Sequence, residues 1–329
     1  MLNVLIVGYG SIGKRHISNL SKLPNLQIFV CTNRKYDSFL KKTKCKIFAS
    51  LDDSIKQKPD IAFITNTTNL HVKTAIKLVT ANIPIFVEKP LSNSTKDVKL
   101  LLNTIKRRKL VTMMGCVLRF HPAIQKIKEI ISENKIGKII SVHVENGSYL
   151  PDWHTNEDYK ENYASRSDLG GGVVLTNIHE LDYLYWFFGN VDEVFSITGK
   201  FSDLEIDVED LSSILLRFKN NIVAEAHLDY FQKPSIRSCK IVGICGTVYW
   251  DSSKNSVQLY DVKKKKWINH LKLKNYDVND MYVDEIKHFL KCVNKEKKSI
   301  NPVEDGAKIL KIAIAVKKSS KLKKMVMIN

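Results

Sequence analysis

The sequence predicts an α/β protein in two parts: an N-terminal Rossmann dinucleotide-binding domain and a C-terminal α+β domain with a large open, mostly antiparallel sheet. Three observations lead there. The apolar run Leu2-Asn3-Val4-Leu5-Ile6-Val7 enters Gly8-Tyr9-Gly10-Ser11-Ile12-Gly13 without a break. Strand-length apolar runs then alternate with helical stripes over the first ~120 residues, the rhythm of βαβ units. Beyond them, strand-like runs follow one another with no helix between, which marks a largely antiparallel sheet.

The glycine stretch reads as the turn of a dinucleotide-binding unit. Its first Gly permits the tight turn, the second lets backbone approach a pyrophosphate, and the third lets helix and strand pack closely. The helix that follows, with Ile12, His16, Leu20 and Leu23 on one face, offers unpaired N–H groups to the phosphates. Strands are expected at Leu26 to Cys31, Lys46 to Phe48, Asp60 to Thr65, Pro84 to Val87 and Leu110 to Gly115. Between them, Val72, Ala75, Ile76 and Val79 form an i, i+3, i+4, i+7 stripe, which Val98, Leu101, Leu102 and Ile105 repeat. Continuous apolar strands between amphipathic helices imply a parallel sheet covered on both faces.

The boundary falls near Arg119, with residues 1–119 as the dinucleotide-binding domain and 120–329 as a second, α+β domain. A helix with Ile124, Ile127, Ile130 and Ile131 follows Pro122, and then alternation takes over. Ile222, Ala224, Ala226, Leu228 and Tyr230 share one face, and Glu225, His227 and Asp229 the other, a solvated or subunit-facing surface. Residues 138–149, 191–201, 208–219 and 236–250 also read as strands. Two amphipathic helices close the chain, one on Tyr282, Ile286, Phe289, Leu290 and Val293, the other on Ile309, Ala313 and Val316.

Composition narrows the function classes. A hydrophobic content of 44% and a charged content of 26% suit a soluble globular chain. No apolar run approaches the ~20 residues of a membrane span. The N-terminal apolar stretch is too short for a signal peptide and has no basic leader. Cys31, Cys45, Cys116, Cys239, Cys245 and Cys292 are scattered with no C-x-x-C pair, as expected of a reduced cytoplasmic protein without a metal site. The net charge of +18 is spread along the chain, and the runs at Lys263 to Lys266 and Lys317 to Lys324 lack interleaved aromatics. A nucleic-acid partner is therefore not expected. The charge reads as a solvated surface that draws anionic substrates over distance.

Three clusters carry chemistry. Glu88-Lys89-Pro90 directly follows the fifth strand, and ligands of doubly wound sheets sit beyond the carboxyl ends of the strands. Arg119-Phe120-His121-Pro122 lies at the domain junction. Gly170-Gly171-Gly172 opens an apolar helix in which His179 lies about two turns along, and three glycines there let backbone approach a ligand closely.

With these residues the chain resembles the glucose–fructose oxidoreductase / inositol dehydrogenase / MocA (Gfo/Idh/MocA) family. The likeness runs over nearly the full length: the glycine motif, Thr65 to His71, Glu88-Lys89-Pro90, and a glycine-led helix carrying His179 and Asp182. It implies an NAD(P)-dependent sugar or polyol oxidoreductase, with 1–119 binding NAD(P) and 120–329 binding substrate and forming the interface of a homodimer or homotetramer, and a cis Lys89–Pro90 peptide. Cofactor contacts are expected from Gly8, Gly10, Ser11, Ile12, Gly13, Thr65, Asn66, His71, Glu88 and Lys89. Two positions depart from the family pattern. Thr176 (or Asn177, by a one-residue shift) stands where members usually carry an Asp, and Thr67 stands where Pro is common.

The chemistry such a cluster supports is hydride transfer at a carbinol carbon. Histidine, with an unperturbed pKa of ~6.5, suits His179 to acid/base work, and the Lys89 ammonium suits a developing alkoxide; the two roles are exchangeable. The alternative for His179 is a satisfied core histidine, and for Asp182 a cap. Arg119, His121 and Arg166 read equally as ion-pair partners and as substrate ligands. Trp153, Tyr159 and Tyr163 belong to a polar-aromatic loop of the kind that lies over sugars or anchors itself by packing. With Thr176 and His179 they complete the candidate substrate set. Its cationic and aromatic character favours an anionic sugar derivative, such as a nucleotide-linked sugar or an acidic amino sugar, over a neutral hexose or inositol. An acid about 20 residues past the glycines would hold the ribose 2′-OH of NAD. Here Cys31-Thr32-Asn33-Arg34-Lys35 holds none before Asp37, and Thr32, Asn33 and Arg34 suit a 2′-phosphate, so NADP is expected over NAD. Two other readings stand beside this one: a non-catalytic dinucleotide-binding sensor, which Thr176 keeps open, and an NAD-dependent glycoside-cleaving enzyme.

Overall fold

The computed structural model describes residues 1–153 and 158–328, so positions 154–157 of the polar-aromatic loop lie outside the described residues. The chain forms two compact units, one of residues 1–117 and 278–307, the other of 118–277 and 308–329.

In the first unit, β1 (Leu2–Val7), α1 (Ser11–Leu20), β2 (Leu26–Cys31), α2 (Ser38–Lys42), β3 (Lys46–Phe48) and α3 (Leu51–Lys56) form one half of the fold. The other half is β4 (Ile61–Ile64), α4 (His71–Thr80), β5 (Ile85–Glu88), α5 (Val98–Arg108) and β6 (Thr112–Gly115). The strands pair in parallel in the order β3-β2-β1-β4-β5-β6, with Val4 opposite both Ile28 and Ile61. Val4, Leu5 and Ile6 are fully buried, as strands covered on both faces require. The order reverses between β1 and β4, and ligands of such sheets sit beyond the carboxyl ends of the strands at that point.

The second unit opens with α6 (Pro122–Ser132), β7 (Ile139–Gly147), α7 (Val173–Thr176) and α8 (His179–Phe188). Then come β8 (Val191–Gly199), β9 (Leu211–Phe218), β10 (Val223–Asp229), β11 (Ile236–Gly243), β12 (Gly246–Asp251), β13 (Ser256–Asp261) and β14 (Lys266–Lys272). After α9 (Asn279–Val293), which belongs to the first unit, α10 (Val303–Leu322) leads to β15 (Val326–Met327). The nine strands run β14-β13-β12-β11-β7-β10-β9-β8-β15, all antiparallel except the β7–β10 pair. This is the open, mostly antiparallel sheet expected.

Three readings of the sequence change. The run 236–250 is a hairpin of β11 and β12, turned between Gly243 and Gly246. β13 and β14 went unseen because the Lys263–Lys266 run joins polar, half-exposed strands without alternation. The sequence also assigned all of 120–329 to the second domain, whereas 278–307 returns to the first. The reason is packing. Phe289 of α9 sets its edge on Phe63 and Phe86 at 5.5 and 5.7 Å, and the Asn279 and Asn19 amides bond reciprocally. The Asn301 carbonyl accepts from Met114 N–H at 2.8 Å and its amide donates to Met114 O at 2.6 Å, covering the edge of β6. No described helix is long and apolar enough to cross a membrane.

Candidate active site

The glycine turn is built as its spacing requires. Gly8 adopts φ +109°, and a Cβ there would lie 2.5 Å from Asn66 N. A Cβ on Gly13 would lie 2.5 Å from the Gly8 carbonyl. At Gly10 a Cβ would meet nothing within 4 Å, so the open space lies at the one glycine expected to face a pyrophosphate. Ser11, Ile12 and Gly13 start α1, whose first N–H groups have no intrahelical acceptor. Thr65 does not face a ligand with its hydroxyl, which donates to the Val7 and Gly8 carbonyls at 3.1 and 3.0 Å and braces the turn. Asn66 anchors its amide N–H on Thr74 Oγ1 at 3.0 Å and leaves a buried Oδ1 without a partner beside that turn. An open glycine, free helix N–H groups and an orphan acceptor fit a dinucleotide.

At the end of β2, Asp37 is already engaged. The Tyr9 hydroxyl donates to both its oxygens at 2.8 and 2.9 Å, and the Leu40 N–H caps it at 3.0 Å. These bonds, the Leu40 one foremost, hold the Asp37 carboxyl below its usual range. Thr32 Oγ1 accepts from Arg34 N–H at 3.1 Å, and Asn33 and Arg34 present exposed side chains.

The Lys89 loop is held from beneath. Glu88 Oε1 lies 2.7 Å from His16 Nε2, and Oε2 accepts from the Lys89 N–H at 3.2 Å. Gly115 leaves room for that carboxylate, which a Cβ would approach to 2.9 Å. His71 lies between the Pro90 and Asn66 carbonyls at 2.8 and 3.0 Å, with burial lowering its proton affinity. Glu88 and His71, expected to touch the cofactor, instead face into the protein and shape the loop. Lys89 is half-buried, and its bond to Pro90 is cis.

In the second unit His179 does not lie two turns into one helix. α7 ends at Thr176, and His179, 9% exposed, begins α8. The glycines ahead of α7 serve packing: Gly172 at φ +102° lies under the Glu209 carboxylate, and Gly171 against the Tyr163 and Ala164 carbonyls. Thr176 is buried, with Tyr230 as a neighbour.

Both arginines expected to meet substrate are committed elsewhere. Arg119 and Asp182 have fully buried side chains joined at 2.8 Å through Nη2 and 3.1 Å through Nε. A guanidinium without exposure cannot reach a solvent-borne ligand, so Arg119 is structural and Asp182 is its partner. Arg166 is a surface residue held by Glu161 and Asp168 at 3.1 and 2.9 Å. His121 caps α6, its Nδ1 accepting from Ala123 N–H at 3.1 Å, and packs on Trp250 and Tyr276. Burial and the nearby Arg237 push it down to about 4. Trp153 donates to Ser148 Oγ at 2.9 Å and stands edge-on to Tyr230; the Tyr159 hydroxyl accepts from Glu205 N–H at 3.3 Å. These aromatics are anchored in place.

Sequence reading missed Glu180, Arg237 and Asn146. Glu180 is fully buried, with Oε1 2.9 Å from Arg237 Nε and Oε2 accepting from Asn146 Nδ2 at 3.3 Å. Burial pushes its carboxyl up while Arg237 pulls it back. Only the pairing of Arg237 with Asn146 across β11 and β7 brings these groups together, so no local signal could have shown them.

Known proteins share this architecture. Residues 2–116 match the model of an oxidoreductase family with an NAD-binding Rossmann fold, and residues 124–249 match the GFO/IDH/MocA C-terminal domain. Myo-inositol 2-dehydrogenase of Thermotoga maritima is 25% identical over 343 residues, covering 99% of this chain and 98% of its own. A levoglucosan dehydrogenase solved with NADH has the same fold, with a TM-score of 0.89 at 17% identity over 100% and 99% of the two chains. The WlbA dehydrogenase from Bordetella pertussis, solved with NADH and UDP-GlcNAcA, gives 0.85 at 19% identity over 100% and 99%.

Proposed function

The chain belongs to the GFO/IDH/MocA family of oxidoreductases, and on that premise we propose that it transfers a hydride between NAD(P) and a carbinol or carbonyl carbon of a sugar derivative. The observation that carries this reading is within the first unit: Lys89 follows β5 at the same, carboxyl-end edge of the parallel sheet as the open turn at Gly10. Bound NAD(P) supplies the hydride acceptor or donor. The N–H groups that open α1 take the pyrophosphate charge. Lys89 donates a hydrogen bond to the reacting oxygen and stabilises alkoxide character there, while His179 takes or returns the hydroxyl proton. Loss of the usual Asp at Thr176 leaves that pair to work without a third group.

NADP is the preferred cofactor in this reading, because Asp37 is tied to Tyr9 and Arg34 extends into solvent beside Thr32. Arg34→Ala is expected to shift the NADP/NAD ratio of kcat/KM toward NAD, and an unchanged ratio contradicts the assignment. The substrate in this reading is an anionic sugar derivative, free or nucleotide-linked; that the WlbA dehydrogenase, of similar fold, was solved with UDP-GlcNAcA supports it. The outward face of the nine-stranded sheet, with Ile197, Leu215 and Val223 exposed, supports a homodimer or homotetramer, which a monomeric mass by light scattering contradicts. Its free cysteines suit a reducing cytoplasm.

The test is absorbance at the reduced-nicotinamide band while sugar acids and nucleotide sugars are screened against neutral hexoses and inositols. Turnover of an acid or nucleotide sugar is expected. Tight cofactor binding with no turnover of any sugar contradicts the enzyme and favours a sensor.

A further inference from the structure

The second unit contains four arginines, Arg119, Arg166, Arg217 and Arg237. Arg119 is sealed against Asp182, Arg166 is held by two surface carboxylates, and Arg217 is bound by Glu193 at 2.6 Å. Arg237 differs from all three. It shares the inner face of β11 with the fully buried Cys239 and Ile241, at the strand end opposite Asn146. Its Nε is buried 2.9 Å from Glu180 Oε1 but not aligned for a hydrogen bond, and the side chain is 26% exposed through its other atoms. Glu180 immediately follows His179, is wholly buried, and is fixed from its other oxygen by Asn146. The buried counter-charge of the guanidinium is therefore carried by the same first turn of α8 as His179. His121 adjoins it. With Nδ1 accepting from Ala123 N–H, the neutral His121 ring carries its proton on Nε2.

We propose that Arg237 is the specificity-determining residue for the acidic group of the substrate, taking a carboxylate through its outer amino groups while Glu180 serves as its buried counter-charge. The proposal rests on the anionic-sugar reading above and names the residue that reads the charge. A planar fork with two parallel N–H groups matches a carboxylate in a way a lysine cannot, because the ammonium is a point charge without a plane. The ligand class is a uronic acid, free or as its nucleotide conjugate.

The experiment pairs acids with their neutral counterparts on the full-length protein: glucuronate with glucose, and UDP-glucuronate with UDP-glucose. Steady-state rates with NAD and NADP and calorimetric binding are measured in parallel. The wild type is expected to prefer the acid of a pair. Arg237→Lys is expected to shrink the acid-to-neutral ratio of kcat/KM by about tenfold or more, through KM rather than kcat. Calorimetric affinity for the acid should fall by a similar factor. The double variant Arg237→Met/Glu180→Gln, which leaves no unpaired buried carboxylate, should behave alike while keeping its melting temperature. An acid preference that survives both variants overturns the role of Arg237 and leaves the substrate reading intact. A wild type that prefers the neutral members, or binds neither acid, overturns the substrate reading and the assignment with it.

Discussion

His121 binds a proton poorly in the folded chain, because burial and Arg237 bring it to about 4. The unfolded side chain titrates near ~6.5. Between those values the unfolded state holds the extra proton, so the stabilisation is complete above the unfolded pKa and is lost as pH falls toward the folded one. His71, lowered by burial, acts in the same direction. His227 acts oppositely: its bond to Asp229 raises it, so its contribution is present at low pH and disappears as pH rises through its folded pKa. That group is 41% exposed, and its share is small. Urea unfolding is expected to show a loss of about 2 kcal/mol from His121 between pH 7 and pH 5. His121→Gln should remove that part of the slope, and an unchanged slope contradicts the burial argument. At this scale the sequence was legible where a residue's reason is local. The cis Lys89–Pro90 bond follows from its motif, and the tight packing at Gly8 and Gly13 from their spacing. The surroundings of Arg119 and Arg237 were not legible, because each is paired with a carboxylate more than 50 residues away, Asp182 for the one and Glu180 for the other.

At the scale of elements, the N-terminus of α1 separates binding from folding. Gly10 has φ −84° and ψ −170°, open to any residue, and its missing Cβ faces empty space. Gly10→Ala is therefore expected to keep stability within about 1 kcal/mol while weakening dinucleotide binding severely. Gly13→Ala should instead unfold more readily, since its Cβ would press on the Gly8 carbonyl. Thermal melts and cofactor titrations on the two variants check this, and equal behaviour of the pair contradicts it. Strands of the first sheet were legible because each is a continuous apolar run. The break between α7 and α8 was not, because apolar residues continue across Leu175 to Leu181 and the helix interruption leaves no trace in their pattern.

For the whole molecule, the first unit is discontinuous in sequence. The stripe Tyr282, Ile286, Phe289 announced a buried face, but a stripe does not say which sheet buries it. Removing α9 strips Phe289 from Phe63 and Phe86, and removing Asn301 uncovers the edge of β6. Residues 1–117 alone are expected to lack a cooperative melt, and the same segment joined by a flexible linker to 278–307 to regain one. Equal melts contradict the assignment of that return segment. Whether Lys89 and His179 carry the hydride-transfer chemistry is decided by turnover of the sugar found by screening, followed at the reduced-nicotinamide band, in Lys89→Ala and His179→Ala beside the wild type. A fall in kcat of ~10²–10⁴-fold is expected in each variant, with cofactor affinity nearly intact. A loss below about tenfold in both variants, against that expected range, would contradict it.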